Sequence, residues 1–160
     1  MRKMYLSAPL PFVGQKRMFA KEFMKVLEQY PDGTLFVDLF GGSGLLSHIT
    51  KSLKPHSTVI YNDFDNYRFR MKHIPQTNQL LADIREMVGN SVPRHKIIKG
   101  ELRERIFSRI EQEENSTGYV DFITLSSSIL FSMKYKLSVQ DMRKEALYNN
   151  IRKTGYPECT

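Results

Sequence analysis

With 160 residues, 41% hydrophobic and 26% charged, the chain has one domain's length and the balance of a soluble globular protein able to bury a core. A formal net charge of +7 and a pI near 9.5 favour a polyanionic partner over an acidic small molecule alone, although such a balance also occurs without functional consequence. The single cysteine, Cys159, excludes an internal disulfide. No apolar run of signal-peptide length follows Met1-Arg2-Lys3 and no stretch approaches a membrane span, so a cytoplasmic protein with no membrane partner is expected.

Met1 to Pro11 reads as an irregular arm. A helix is predicted over Lys16 to Tyr30, where Phe19, Phe23, Val26, Leu27 and Tyr30 recur at helical spacing and Pro31-Asp32-Gly33 ends the run. Lys16 and Arg17 sit at its start, where the helix dipole disfavours cations. A bound partner or a frayed, solvated first turn each accounts for them. Leu35, Phe36, Val37 and Leu39 then read as a buried strand with Asp38 near its end. A turn rich in glycine follows, and Ser43 to Leu53 forms a short helix stopped by Pro55. Val59, Ile60 and Tyr61 make a second strand, with Asp63 just beyond it. Asp65 either faces a ligand or caps a helix beginning near Asn66.

From Asn66 the chain reads as helices joined by short breaks. Pro75 to Val88 carries Leu80, Leu81, Ile84 and Val88; Gly100 to Glu114 carries Leu102, Ile106, Phe107 and Ile110. The apolar run Tyr119 to Phe131 fits helix or strand. Ser138 to Ile151 opens on Ser138-x-x-Asp141, close to a capping box, and is predicted as one helix bearing Val139, Met142, Ala146 and Leu147. His48, His56, His73 and His95 are scattered singly, so no metal site is expected.

Strand, glycine turn, helix and a second strand closing on a carboxylate make the first half of a dinucleotide-type α/β unit. Gly41, Gly42 and Gly44 let backbone approach a ligand. The helix N-terminus offers unpaired N–H groups, and a carboxylate such as Asp63 can accept from a ribose. The NAD fingerprint is only half met, since Gly42-x-Gly44 is followed by Ser47 in the third position, and a phosphate loop is absent because no lysine follows Gly44.

Three segments in series resemble the S-adenosylmethionine-dependent DNA adenine methyltransferases of the Dam type. Pro11-Phe12-Val13-Gly14-Gln15-Lys16 is similar to the family's short basic motif, with Gln15 where a second glycine is usual. Asp38-Leu39-Phe40-Gly41-Gly42-Ser43-Gly44 is similar to its cofactor turn, and Asn62-Asp63-Phe64-Asp65 to its ribose-binding strand end. The order and spacing match. The resemblance implies an α/β fold, a partial Rossmann-like methyltransferase sheet over 1–65 that binds S-adenosylmethionine, and a helical target-recognition region over 66–160. It assigns Phe12, Gly14, Lys16, Asp38, Phe40, Gly41, Gly42, Ser43, Gly44, Asp63 and Phe64 to the cofactor. Asp63 would accept from the ribose and Asp38 would hold the methionine ammonium. Lys16 would face the methionine end or nucleic acid, and Phe12 would line the pocket or serve as core.

The family transfers its methyl group with a D/N-P-P-Y/F/W motif that orients the amine of a flipped adenine. No two prolines are adjacent in this chain, so no catalytic residue is assigned. The resemblance therefore implies the cofactor-binding and recognition portion of a longer enzyme, or a truncated remnant of one. A non-enzymatic nucleic-acid-binding module and an NAD-type α/β protein are the alternatives. Residues 66–160 carry 16 Lys and Arg against 11 Asp and Glu, most of the net charge. Arg94 and Lys96, and Lys134, Tyr135 and Lys136 with their alternation of cation and aromatic, are the candidates to contact double-stranded DNA; solvated charged faces account for each cluster equally well. An exposed sheet edge would also favour a homodimer.

Overall fold

A computed structural model describes residues 4–158; Cys159 and Met1-Arg2-Lys3 lie outside the described residues. The chain forms two compact units, 1–70 and 71–160, and is of mixed α/β character.

In the first unit, a 3-10 turn at Arg17–Phe19 runs into α1 (Ala20–Glu28). The helix thus begins four residues later than its periodicity suggests. Lys16 makes no side-chain cap, and the uncapped start tightens into a 3-10 turn. Then come β1 (Leu35–Asp38), α2 (Leu45–Leu53), β2 (Thr58–Tyr61) and α3 (Tyr67–Lys72). β1 and β2 pair in parallel, Leu35 beside Thr58 and Val37 beside Ile60, with α2 as the crossover such a pair requires. Asp32 ties the two strand starts together: its Oδ1 accepts from the N–H groups of Gly33 and His56, each at 3.0 Å.

Among the described residues, only one face of this sheet is covered. Ala20, Leu27, Leu45 and Ile49 form a buried cluster with Phe36, Phe23 and Met24 packed against it. Strand side chains alternate, so Leu35, Val37 and Ile60 point the other way and are 59%, 54% and 51% exposed. The expectation of a buried first strand is therefore met only in part, by the partly buried Phe36, and fails for Leu35, Val37 and Leu39. Continuous apolar sequence signals two covered faces, and among the described residues only one cover exists.

The second unit contains α4 (Ile74–Val88), β3 (Ile97–Ile98), α5 (Gly100–Thr117), α6 (Phe122–Ile129), α7 (Val139–Arg143) and β4 (Leu147–Tyr148). Ile84, Ile106, Phe107, Ile110, Leu125, Ile129, Met142 and Leu147 are fully buried. Asp121 settles the ambiguous apolar run as a helix by capping it: its Oδ1 accepts from Thr124 N at 3.1 Å and its Oδ2 from the Thr124 hydroxyl at 2.8 Å. Ser138 caps α7 through Asp141 N at 3.2 Å. That helix stops at Arg143 instead of continuing to Ile151, because Leu147 and Tyr148 pair antiparallel with Ile98 and Ile97. The reading of this half as helical throughout is corrected by that short ribbon.

Candidate functional site

The turn after β1 is built around an aromatic ring that the sequence reading passed over. Tyr61 is the last residue of β2 and pairs with Asp38. Its ring lies so close to Gly41 that a Cβ there would collide with it, and it also flanks Gly44. The Tyr61 hydroxyl shares its proton between Gly42 O at 2.6 Å and Asp63 Oδ1 at 2.9 Å. Burial first, and then the Asp63 carboxylate, push this phenol well above its ordinary pKa. Gly42 and Gly44 have φ of 50° and 69°, a region in which a side chain would be strained.

The three motif segments converge here. The Phe12 ring packs on Gly42, where an added Cβ would lie 2.9 Å from its Cε1. Lys16 donates through Nζ to the carbonyl of Phe40. Asp63 reaches the turn through Tyr61. The first motif is braced from α3: Leu10 N donates to the Tyr67 hydroxyl at 3.1 Å, Arg70 Nη2 donates to Pro11 O at 2.8 Å, and the Phe12 and Tyr67 rings meet edge to face at 5.5 Å. Tyr67 carried no sequence signal beyond helix position, and Arg70 only that of a basic cluster with Arg68 and Lys72. Gly14 is exposed at φ 78°, with no neighbour near a built Cβ. Ser43 lies half-buried inside the turn.

Several groups retain binding capacity. Asp38 is half-buried, and its Oδ2 accepts from the Ser47 hydroxyl at 2.7 Å. Asp63 caps α3, its Oδ1 accepting from Tyr67 N at 2.7 Å and its Oδ2 from Arg68 N at 3.0 Å. With Tyr61 also on Oδ1, one acceptor position remains on Oδ2. Asp63, not Asp65, thus supplies the cap. The first turn of α2 has Gly44 as N-cap and no side-chain cap, so its N–H groups are open to an anion. Phe40 and Phe64, at the C-terminal ends of the two strands, are 82% and 88% exposed. A recess beside the turn is lined by Gly44, Ser47, His48, Lys51 and Tyr61. Burial holds the His48 imidazole below its usual pKa, and its Nε2 accepts from Tyr5 N at 3.0 Å.

Open backbone donors, two carboxylates and two exposed aromatic rings gather at one turn. They suit a ligand with an amino acid end, a hydroxylated ring and a flat base. No group of three or more His, Cys, Asp or Glu suited to a metal is found among the described residues.

In the second unit the predicted cations divide into two kinds. Lys134 and Lys136 are both held by Glu145, at 2.6 Å and 3.1 Å, and Tyr135 between them is half-buried. This loop also exposes the apolar side chains of Phe131, Met133 and Leu137. Arg94 and Lys96 instead lie on the strand ribbon, where His95 N donates to Asn149 O at 2.8 Å and Asn149 N to Lys96 O at 2.9 Å. Arg152 and Lys153 follow the second strand of the ribbon, with the Arg152 guanidinium over the Tyr156 ring at 4.6 Å, and sequence reading did not single them out. Arg94, Lys96, Lys99, Arg152 and Lys153 are exposed and make no ion pair among the described residues. No described helix is long and apolar enough to cross a membrane.

The chain is similar to a protein of Haemophilus influenzae (strain ATCC 51907 / DSM 11121 / KW20 / Rd) named "Putative methyltransferase", at 41% identity over 160 residues, covering 98% of this chain and 53% of the relative. It thus spans about half the length of that relative. No family model matches it, and neither does any solved structure.

Proposed function

We propose that this chain is the S-adenosylmethionine-binding and DNA-recognition portion of a DNA adenine methyltransferase. The observation that carries the reading is the convergence of Phe12, Lys16, Tyr61 and, through Tyr61, Asp63 on the Asp38–Gly44 turn. Similarity to a relative named as a methyltransferase supports the reaction class.

The residues present fit the cofactor. Asp38 has a free carboxylate oxygen for the methionine ammonium, and the open N–H groups of α2 suit its carboxylate. The remaining acceptor position of Asp63 suits one ribose hydroxyl, and Phe64 offers a face for adenine. When bound, S-adenosylmethionine supplies a methyl group activated by its sulfonium. This chain's own part is to bind and orient that cofactor. No residue of this chain is assigned to orient the target amine, since no adjacent prolines occur here.

Calorimetric titration with S-adenosylmethionine tests the reading, with NAD as the competing ligand. Wild type is expected to bind S-adenosylmethionine and not NAD. Phe64→Ala and Asp63→Asn are expected to weaken binding by about tenfold each, as loss of one stacked or hydrogen-bonded contact does. Asparagine is chosen because it still caps a helix. A folded chain that binds NAD instead, or is indifferent to both substitutions, would refute the assignment.

A second reading, a nucleic-acid-binding module without cofactor, is favoured by the unpaired cations of the β3–β4 ribbon. Salt-sensitive binding of duplex DNA together with silence toward S-adenosylmethionine would select it.

A further inference from the structure

Asp63 enters the candidate site with most of its hydrogen-bonding capacity committed. A carboxylate offers about four lone-pair positions on its two oxygens. Three are taken within the first unit: Oδ1 accepts from Tyr67 N at 2.7 Å and from the Tyr61 hydroxyl at 2.9 Å, and Oδ2 accepts from Arg68 N at 3.0 Å. The two amide donors come with the helix that Asp63 caps. A turn in which Asn66 N donates to Asp63 O at 3.1 Å, with Asn66 at φ 54°, leads into that helix. The phenol is a separate matter, because no cap requires it. It reaches Asp63 because Tyr61 is fixed on three sides: the register seats it beside Asp38, its ring lies against Gly41 and Gly44, and its hydroxyl is anchored on Gly42 O at 2.6 Å. Burial and then the Asp63 carboxylate raise this phenol well above its usual range, so it remains a donor. Even with its proton turned toward Gly42 O, the phenol oxygen still fills that side of Oδ1.

We propose that Tyr61 is a specificity-determining residue whose hydroxyl restricts Asp63 to one of the two hydroxyls of an adenosine ribose. A carboxylate with both oxygens open can accept from the 2′ and 3′ hydroxyls together, whereas this one has a single position left, on Oδ2. Asp63 therefore reads one hydroxyl and is indifferent to the other. Removing the phenol oxygen frees a second position on Oδ1, and the other hydroxyl then counts as well. The inference rests on the cofactor reading and adds to it which part of the ribose the site reads and what sets that choice.

The test is calorimetric titration of the whole chain with S-adenosylhomocysteine and with its 2′-deoxy and 3′-deoxy forms. Wild type is expected to lose about tenfold in affinity for one deoxy form, the loss of one hydrogen-bonded contact, and to bind the other as it binds the parent. Tyr61→Phe keeps the ring against Gly41 and should lose affinity for both deoxy forms, a gain of sensitivity that mere loosening of the fold would not produce. Asp63→Asn still caps a helix and should flatten the difference between the two forms. Parent binding tests the cofactor reading, and its absence from folded wild type would remove that reading and this inference together. With the parent bound, equal sensitivity of wild type to both deoxy forms, sensitivity to neither, an unchanged profile in Tyr61→Phe, or an unchanged profile in Asp63→Asn would overturn the role of Tyr61 and leave the cofactor reading standing.

Discussion

Gly41 shows how closely the candidate site is tied to the fold around it. A side chain there would meet the Tyr61 ring and lie 2.8 Å from Asn62 O, and backbone cannot move aside as a flexible side chain can. Gly41→Ala is therefore expected to destabilise the first unit by about 1–3 kcal/mol, the usual cost of overpacking, measured by denaturant unfolding. In a Tyr61→Ala background the ring is gone and most of that cost should vanish, leaving the Asn62 contact. An equal cost in both backgrounds would show that the ring does not set the constraint. The glycines of the turn thus have a packing reason that precedes any ligand. Tyr61 explains why sequence reading found the glycines but not their cause. The pattern marks where backbone must come close, and only the pairing of β2 with β1 reveals what it comes close to.

The loop between α6 and α7 depends on one carboxylate. Hydrogen bonds from Lys134 first, and then Lys136, hold the Glu145 carboxyl below its usual pKa. A depressed folded-state pKa means the clamp contributes fully above the ordinary carboxylate range and is lost as pH falls through the lowered value. The segment Met133 to Leu137 should therefore be rigid near pH 6 and gain mobility only as pH falls below the ordinary carboxylate range, as read by nitrogen-15 relaxation, and Glu145→Gln should be mobile already near pH 6. A Glu145→Gln loop as rigid as wild type near pH 6 would remove Glu145 from this role. Glu145 itself lies within the stretch predicted as one long helix, and that prediction failed for an instructive reason. Val139 and Met142 do follow helical spacing and are buried. Leu147 is also buried, but as a strand residue opposite Ile98, and a two-residue strand is too short to show a period. The long amphipathic α4 and α5 were legible because their periodicity is local. The bare side of β1 was not, since an apolar run states that cover is needed without stating whether the chain provides it.

Most of the net positive charge lies beyond residue 65, and the ion pairs decide how much of it is free to meet a polyanion. A cation already held by a carboxylate is less available to neutralise a phosphate and release the counterions condensed there, whereas an unpaired one is free to do so. On that argument Lys134 and Lys136, both committed to Glu145, contribute weakly, although their alternation with Tyr135 made them the more conspicuous candidates in sequence. If duplex DNA is the partner, Arg94, Lys96, Arg152 and Lys153 would contribute more: they flank the β3–β4 strands in sequence, are exposed and make no ion pair among the described residues. Duplex DNA as the partner then carries a quantitative expectation. The slope of log affinity against log salt, measured by fluorescence anisotropy, should fall by about 1 for each ribbon cation removed that touches a phosphate. Arg152→Ala with Lys153→Ala should show this drop at every duplex sequence tested, since phosphate contacts carry no base information. Lys134→Ala with Lys136→Ala should leave the slope unchanged. The reverse ranking would return the DNA-facing surface to the α6–α7 loop and leave the ribbon as a solvated charged face.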